Sequence, residues 1–171
     1  MSEKRSTDAY QTQLRQFMHE VLIVCPQCER QAMVKAPVVD FSAEAALDIR
    51  LICVHCGHSK MLTETPDTLF FTNSSGKQVR GRTYLTGGAV DPYFHLPLWL
   101  TTKVEGHLLW AYNHDHLAFL EQHIRATLRE RSGPEYSNRS VGSRLPKWMT
   151  SRKNRDKVLK AIVRLQESHV R

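Results

Sequence analysis

The sequence predicts an α+β protein: a metal-held N-terminal segment, a small antiparallel sheet and two C-terminal helices. Three observations predict it. The four cysteines of the chain fall into two pairs, Cys25-Pro26-Gln27-Cys28 and Cys53-Val54-His55-Cys56, a C-x2-C-x24-C-x2-C pattern. Short apolar runs, some alternating with polar residues, enter and leave each pair and recur around Trp99 and Trp110. Two later stretches, from Asn113 and from Asn154, carry apolar residues at helical spacing.

The cysteine spacing is that of a structural zinc site. Two intervening residues let a segment wrap a knuckle, so that both thiolates reach one metal at roughly 2.3 Å. The segment between the knuckles is long enough for a hairpin. Gly57, after the fourth cysteine, suits a backbone that needs positive φ. Pro26 fixes φ in the first knuckle. Glu29 departs from the pattern, standing where the second knuckle has Gly57. Two disulfides or a redox C-x-x-C are the weaker readings, because nothing in Met1 to Thr7 has the hydrophobic core of an export signal. His55 and His58 are alternative ligands, read mainly as polar surface beside the site.

On Cys25, Cys28, Cys53 and Cys56, with β-prone residues around each pair, residues 20–64 resemble a zinc ribbon of the transcription factor IIB type. That resemblance implies a three-stranded, zinc-held sheet in a class that mostly binds nucleic acid or the proteins that handle it. Leu96-Pro97-Leu98-Trp99-Leu100 and Leu109-Trp110-Ala111-Tyr112-Asn113 are similar to stretches of bacterial ribbon-containing proteins, a likeness that implies no activity. The fold class is therefore α+β, an N-terminal four-cysteine zinc ribbon packed with a small antiparallel sheet and two C-terminal helices. The expected division is 1–64 for the N-terminal helix and ribbon, 65–131 for a hairpin-plus-helix core, and 132–171 for a linker and basic helix.

In chain order, Leu14, Phe17 and Met18 predict a short helix over 8–19, with Thr7 as N-cap. Val21 to Val24 runs as a strand into the first knuckle and Gln31 to Lys35 returns from it. Pro37 to Ala46 reads as loop. Leu47, Ile49 and Leu51 alternate with Asp48 and Arg50 in a strand leading to Cys53, and Lys60 to Thr63 leaves the second knuckle. Asn73-Ser74-Ser75-Gly76 is a turn between strands Leu69–Thr72 and Gln78–Leu85, a segment expected to cover the core. Gly87-Gly88 and Asp91-Pro92 mark an irregular crossing.

Leu96–Thr102 and His107–Tyr112 predict a hairpin turning at Lys103-Val104-Glu105-Gly106, with Leu108, Trp110 and Tyr112 on one side and both faces covered. Asn113 is a strong N-cap, with Asp115 in the first turn where the helix dipole favours a negative charge. Leu117, Leu120, Ile124 and Leu128 form one apolar stripe. Arg129 and Arg131 fall in its last turn before Gly133-Pro134. Ser132 to Ser143 reads as a linker, and Leu145 to Met149 as a turn-like anchor. A final helix runs from about Asn154 to Ser168, with Val158, Ile162 and Leu165 on its apolar side and Lys153, Lys157, Lys160 and Arg164 stepping along another.

Of the 171 residues, 41% are hydrophobic and 24% charged, an ordinary globular composition. No apolar run is long enough to span a membrane, and the thiols point to a cytoplasmic protein. The net charge of +7 is uneven: residues 1–128 carry 12 Lys+Arg against 13 Asp+Glu, and residues 129–171 carry 12 against 4. Four thiolates and one Zn²⁺ bring the whole nearer +5, with the ribbon end acidic. A basic end on a neutral body points to an anionic partner met at one place, or to a merely solubilising surface.

The function read from this is non-enzymatic: nucleic-acid binding, with phosphates contacted through Arg144, Lys147, Arg152, Lys153, Lys157, Lys160 and Arg164. Arg139 and Arg155 lie in the same basic stretch. The alternative is a zinc-stabilised adaptor of a larger cytosolic complex, for which the partner is a protein. His107, His114, His116 and His123 are the residues on which a second metal site or a general base would have to rest. No H-E-x-x-H, phosphate-binding loop or dinucleotide fingerprint accompanies them.

Overall fold

A computed structural model describes residues 5–6, 12–37, 48–126, 128–129 and 140–168. Its strands are β1 (Arg5–Ser6), β2 (Glu20–Val24), β3 (Gln31–Lys35), β4 (Arg50–Ile52), β5 (Ser59–Met61), β6 (Thr68–Thr72), β7 (Gln78–Gly81), β8 (Leu100–Val104), β9 (His107–Ala111) and β10 (Leu128–Arg129). Its helices are α1 (His114–Arg125), α2 (Val141–Arg144), α3 (Lys147–Thr150) and α4 (Arg155–Glu167). The chain forms two compact units, one of residues 19–99 and one joining 1–18 to 100–171. These units divide the chain after Met18 and Trp99, where the sequence reading divides it after residues 64 and 131.

The first unit carries an antiparallel meander in the order β2-β3-β4-β5. It has four strands rather than the three implied by the resemblance, because the hairpin around the first knuckle contributes both of its arms. Val21, Leu22 and Ile23 are all buried, so both faces of β2 are covered, and the strand is also flanked on both edges. β3 pairs along one side. On the other side Val24 N–H donates to Pro97 O and Trp99 N–H to Leu22 O, each at 2.9 Å. In β4 the expected alternation holds, with Ile49 and Leu51 buried and Arg50 exposed, but pairing begins only at Arg50. Lys60-Met61 pairs as expected, while Leu62–Glu64 winds into a 3-10 turn with Glu64 Oε2 accepting from Met61 N–H at 2.7 Å. The expected loop over Pro37 to Ala46 lies, from residue 38 on, outside the described residues.

The β6–β7 hairpin turns where expected. Asn73 Oδ1 accepts from Ser75 N–H at 3.1 Å and Lys77 N–H at 2.9 Å, closing the loop with a side chain. It does not cover the core, however. Every residue of β6 is exposed, Phe71 by 57%. Phe70 lies over Gly81, where a Cβ would come within 2.6 Å of its ring. The irregular crossing that follows is organised by Asp91. Its fully buried carboxylate accepts from the N–H groups of Tyr93, Phe94 and Leu96 at 2.9, 2.8 and 2.6 Å.

In the second unit β8 and β9 pair from Leu100–Ala111 out to Val104–His107. The turn is therefore two residues, Glu105 and Gly106, with φ of 50° and 80°, rather than the four expected. Such a turn matches the twist of the strands. The buried face is Leu100, Val104, Leu109 and Ala111, and Leu108 is 47% exposed, so the outer face is not closed as expected. Trp110 is half-buried, its ring 5.1 Å from Tyr112 and 5.6 Å from His116.

Helices α1 and α4 pack on each other, α1 on β9 and α4 on β8. Asn113 caps α1 as expected, its Oδ1 accepting from His116 N–H at 2.8 Å. Its amide also donates to Phe17 O at 3.0 Å, tying the N-terminal segment to the helix start. That segment is not the expected helix: of its described residues only Leu14–Phe17 turns, as one 3-10 turn. Leu117, Leu120 and Ile124 are buried as the stripe requires. The helix stops at Arg125, short of the expected Arg131, and Leu128–Arg129 pairs in parallel with β1. The expected stop at Gly133-Pro134 and most of the linker lie outside the described residues. Among the described residues no helix is long and apolar enough to cross a membrane.

Candidate metal centre and basic surface

The two knuckles are copies of one local structure. Each is a six-residue loop, Cys25–Arg30 between the paired ends Val24 and Gln31, and Cys53–His58 between Ile52 and Ser59. In the first, Cys25 N–H donates to Arg30 O at 2.8 Å and Glu29 N–H to Cys25 O at 3.0 Å. In the second, Cys53 N–H donates to His58 O at 2.8 Å and Gly57 N–H to Cys53 O at 3.0 Å. Antiparallel pairing sets the start of β3 beside the end of β4, which brings both loops to one edge of the sheet.

There the four sulfurs converge, all within 4.8 Å of one another. Cys25 Sγ lies 3.7 Å from Cys56 Sγ, and Cys28 Sγ lies 3.6 Å from Cys53 Sγ. A disulfide would bring two sulfurs to about 2.05 Å. Four sulfurs each about 2.3 Å from one ion lie about 3.8 Å apart at the corners of a tetrahedron, close to these two separations. Electrostatics point the same way. Backbone N–H of His58 favours the Cys56 thiolate, but desolvation and the neighbouring thiols oppose it and push that thiol up to about 12. Burial opposes ionisation of Cys53 too, yet the N–H groups of Cys56 and His55 bring it down to about 7. Four thiolates this close need a cation between them. The four cysteines are placed to coordinate one metal ion.

Neither neighbouring histidine belongs to that group, His55 being exposed and His58 half-buried. Among the described residues it is the one cluster of three or more Cys, His, Asp or Glu side chains with metal-binding spacing. The four histidines near α1 separate instead. His116 and His123 are buried in the helix face, His114 is half-buried, and His107 is exposed on β9. His116 stacks on Phe17 with ring centres 4.7 Å apart and accepts from Tyr112 N–H at 3.2 Å through Nδ1.

No family model, curated protein or solved structure matches the chain. The cysteine cluster is consistent with a zinc ribbon, and the likeness to the transcription factor IIB type rests on the cysteine spacing alone.

All seven predicted phosphate contacts are exposed. Arg144 ends α2, Lys147 opens α3, Arg152 and Lys153 lie between α3 and α4, and Lys157, Lys160 and Arg164 are on α4. The apolar side of α4 is buried through Val158, Ala161, Ile162 and Leu165, so the basic stripe faces outward. Lys157 Nζ is 2.9 Å from Glu105 Oε1. Together with the charge of Lys153 it holds that carboxyl below the usual range. Arg155 is half-buried, and Arg139 lies outside the described residues. The unit containing the stripe has 17 Lys+Arg against 9 Asp+Glu, whereas the metal-centre unit has 7 against 8. One pairing was illegible in the sequence: the rings of His107 and Trp148 stack at 4.8 Å and 11°.

Proposed function

We propose that the protein is a cytoplasmic, non-enzymatic zinc-ribbon protein that binds nucleic acid, contacting phosphates through its basic C-terminal helix α4 and the cations that precede it. Zinc is the ion that best suits four thiolates at tetrahedral spacing. With all four positions filled by sulfur the site offers no place for a substrate, which supports a structural role. The observation that carries the nucleic-acid reading is the segregation of charge. The whole basic excess sits in the unit that exposes the seven cations, while thiolates and metal make the ribbon unit more acidic still. The ribbon then serves as a scaffold or a protein contact, and α3 and α4 meet phosphates.

A salt titration tests this. Replacing Lys153, Lys157, Lys160 and Arg164 by Gln should lower the slope of log affinity against log salt by about 3 units, at about 0.7–0.9 per phosphate contact. Unchanged slopes would move the site off α4. A second reading, the adaptor, is favoured by Leu69, Phe70 and Phe71, three consecutive exposed apolar residues on β6. It anticipates no salt-dependent binding to DNA or RNA, and loss of a protein partner on replacing Phe71.

A further inference from the structure

We propose that His107, backed by Trp148, is a stacking platform for an unpaired base, so that the anionic partner is single-stranded nucleic acid rather than duplex. The inference rests on the phosphate-binding reading above and names its ligand. Face-to-face stacking of two rings on different elements is more than the packing of a surface turn requires. The His107 ring lies nearly parallel to Trp148, 11° from coplanar at 4.8 Å. Trp148 is half-buried and His107 exposed, so the histidine is accessible from solvent while one face rests on the indole.

The support beneath is rigid. Trp148 O accepts from Ser151 Oγ and from Asn154 Nδ2, each at 3.1 Å. His107 leaves a two-residue turn whose Glu105 is held by Lys157 at 2.9 Å. Cations lie next to this pair in the chain and at its turn: Lys147 precedes Trp148, Arg152 and Lys153 follow α3, and the charges of Lys153 and Lys157 both act on Glu105, two residues before His107. An aromatic platform among cations is the arrangement by which proteins hold single strands, bases on rings and phosphates on Lys and Arg. A duplex keeps its base faces covered and can use only the cations.

The test uses the full zinc-loaded chain and a fluorescein-labelled oligonucleotide of mixed sequence, as DNA and as RNA, single-stranded or annealed, at about 50 mM salt, where phosphate contacts are strong. The parent should favour the single strand. His107→Ala should weaken single-strand binding about 5- to 100-fold and leave duplex binding within about twofold, and His107→Phe should restore it, since stacking tolerates any flat ring. An equal loss on both ligands, no loss, or no rescue by Phe would overturn the stacking platform while leaving salt-dependent binding, and the reading beneath it, intact. Absence of salt-dependent binding by the parent would remove both. Melting curves of the two variants matching the parent exclude misfolding as the cause of a loss.

Discussion

Glu29 and Gly57 stand at equivalent positions of the two knuckles, at φ of 60° and 74°, each donating its N–H to the carbonyl of its knuckle's first cysteine at 3.0 Å. The loop demands a left-handed residue there, and only one knuckle supplies glycine. Nothing lies within 4 Å of a Cβ built on Gly57, so Gly57→Ala strains the backbone and nothing else. It should cost about 1–2 kcal/mol, the ordinary penalty for an L-residue in this region. Glu29→Gly should gain less than that, because glycine loses about 0.5–1 kcal/mol more freedom on folding. Thermal unfolding of the metal-loaded variants checks both. A silent Gly57→Ala would mean that the second knuckle does not need positive φ.

The metal centre should hold one zinc per chain and be part of the fold. Cys53 is buried at the end of β4, and its sulfur has neighbours from both knuckles. Structural zinc in small units contributes on the order of 10 kcal/mol of folding free energy. Cys53→Ser should abolish stoichiometric zinc and unfold the β2–β5 meander, while most helical signal, which comes from α1 and α4 in the other unit, remains. Metal analysis of reduced protein with circular dichroism decides this. Full zinc occupancy in Cys53→Ser would show that another donor completes the site.

The stripe of α1 should separate from the outer face of β9. Leu120 and Ile124 are 2% and 0% exposed, and truncating either to Ala should cost roughly 2–5 kcal/mol. Leu108 is 47% exposed, and Leu108→Ala should stay within about 0.5 kcal/mol. Chemical denaturation of the three variants measures the contrast. Similar losses at Leu108 and Leu120 would mean that a partner or a second copy covers the outer face.

Features set by local chemistry were legible, and features set by distant pairing were not. The four cysteines could be read because two intervening residues suffice to build each knuckle. The start of α1 could be read because Asn113 caps through its own side chain and Leu117, Leu120 and Ile124 repeat at the helical period. Its end could not, because Leu128 and Arg129 are taken up by pairing with Arg5 and Ser6. The N-terminal helix fails for a similar reason: Phe17, read as one residue of a helical stripe, gives its carbonyl to Asn113, 96 residues away. The hairpin turn was misplaced because Glu105 adopts positive φ, as Glu29 does, and neither residue type announces it. Asp91 marked only an irregular crossing with Pro92, and its role as acceptor for three backbone N–H groups emerges only in the folded loop.

His116 should make the C-terminal unit sensitive to mild acid. Burial among Phe17, Trp110 and Tyr112 lowers its pKa from the ordinary 6.5 to about 4. The bond it accepts from Tyr112 N–H through Nδ1 also requires that nitrogen to be unprotonated. In the unfolded chain the same imidazole takes up its proton near pH 6.5. Between that pH and about 4 the unfolded state thus binds more protons than the folded one. Stability then rises with pH in this window: the contribution of neutral His116 is fully present above about pH 6.5 and is lost as pH falls toward 4. The pKa difference corresponds to on the order of 3 kcal/mol. His116→Gln keeps an acceptor for Tyr112 and cannot titrate, so its stability should vary less between about pH 4.5 and 7.5. Acid release of the metal acts on both proteins, and the difference between their curves isolates the histidine. Urea unfolding followed through the helical signal across that range supplies the curves. Parallel pH dependences would place the proton uptake elsewhere and leave His116 a solvated ring.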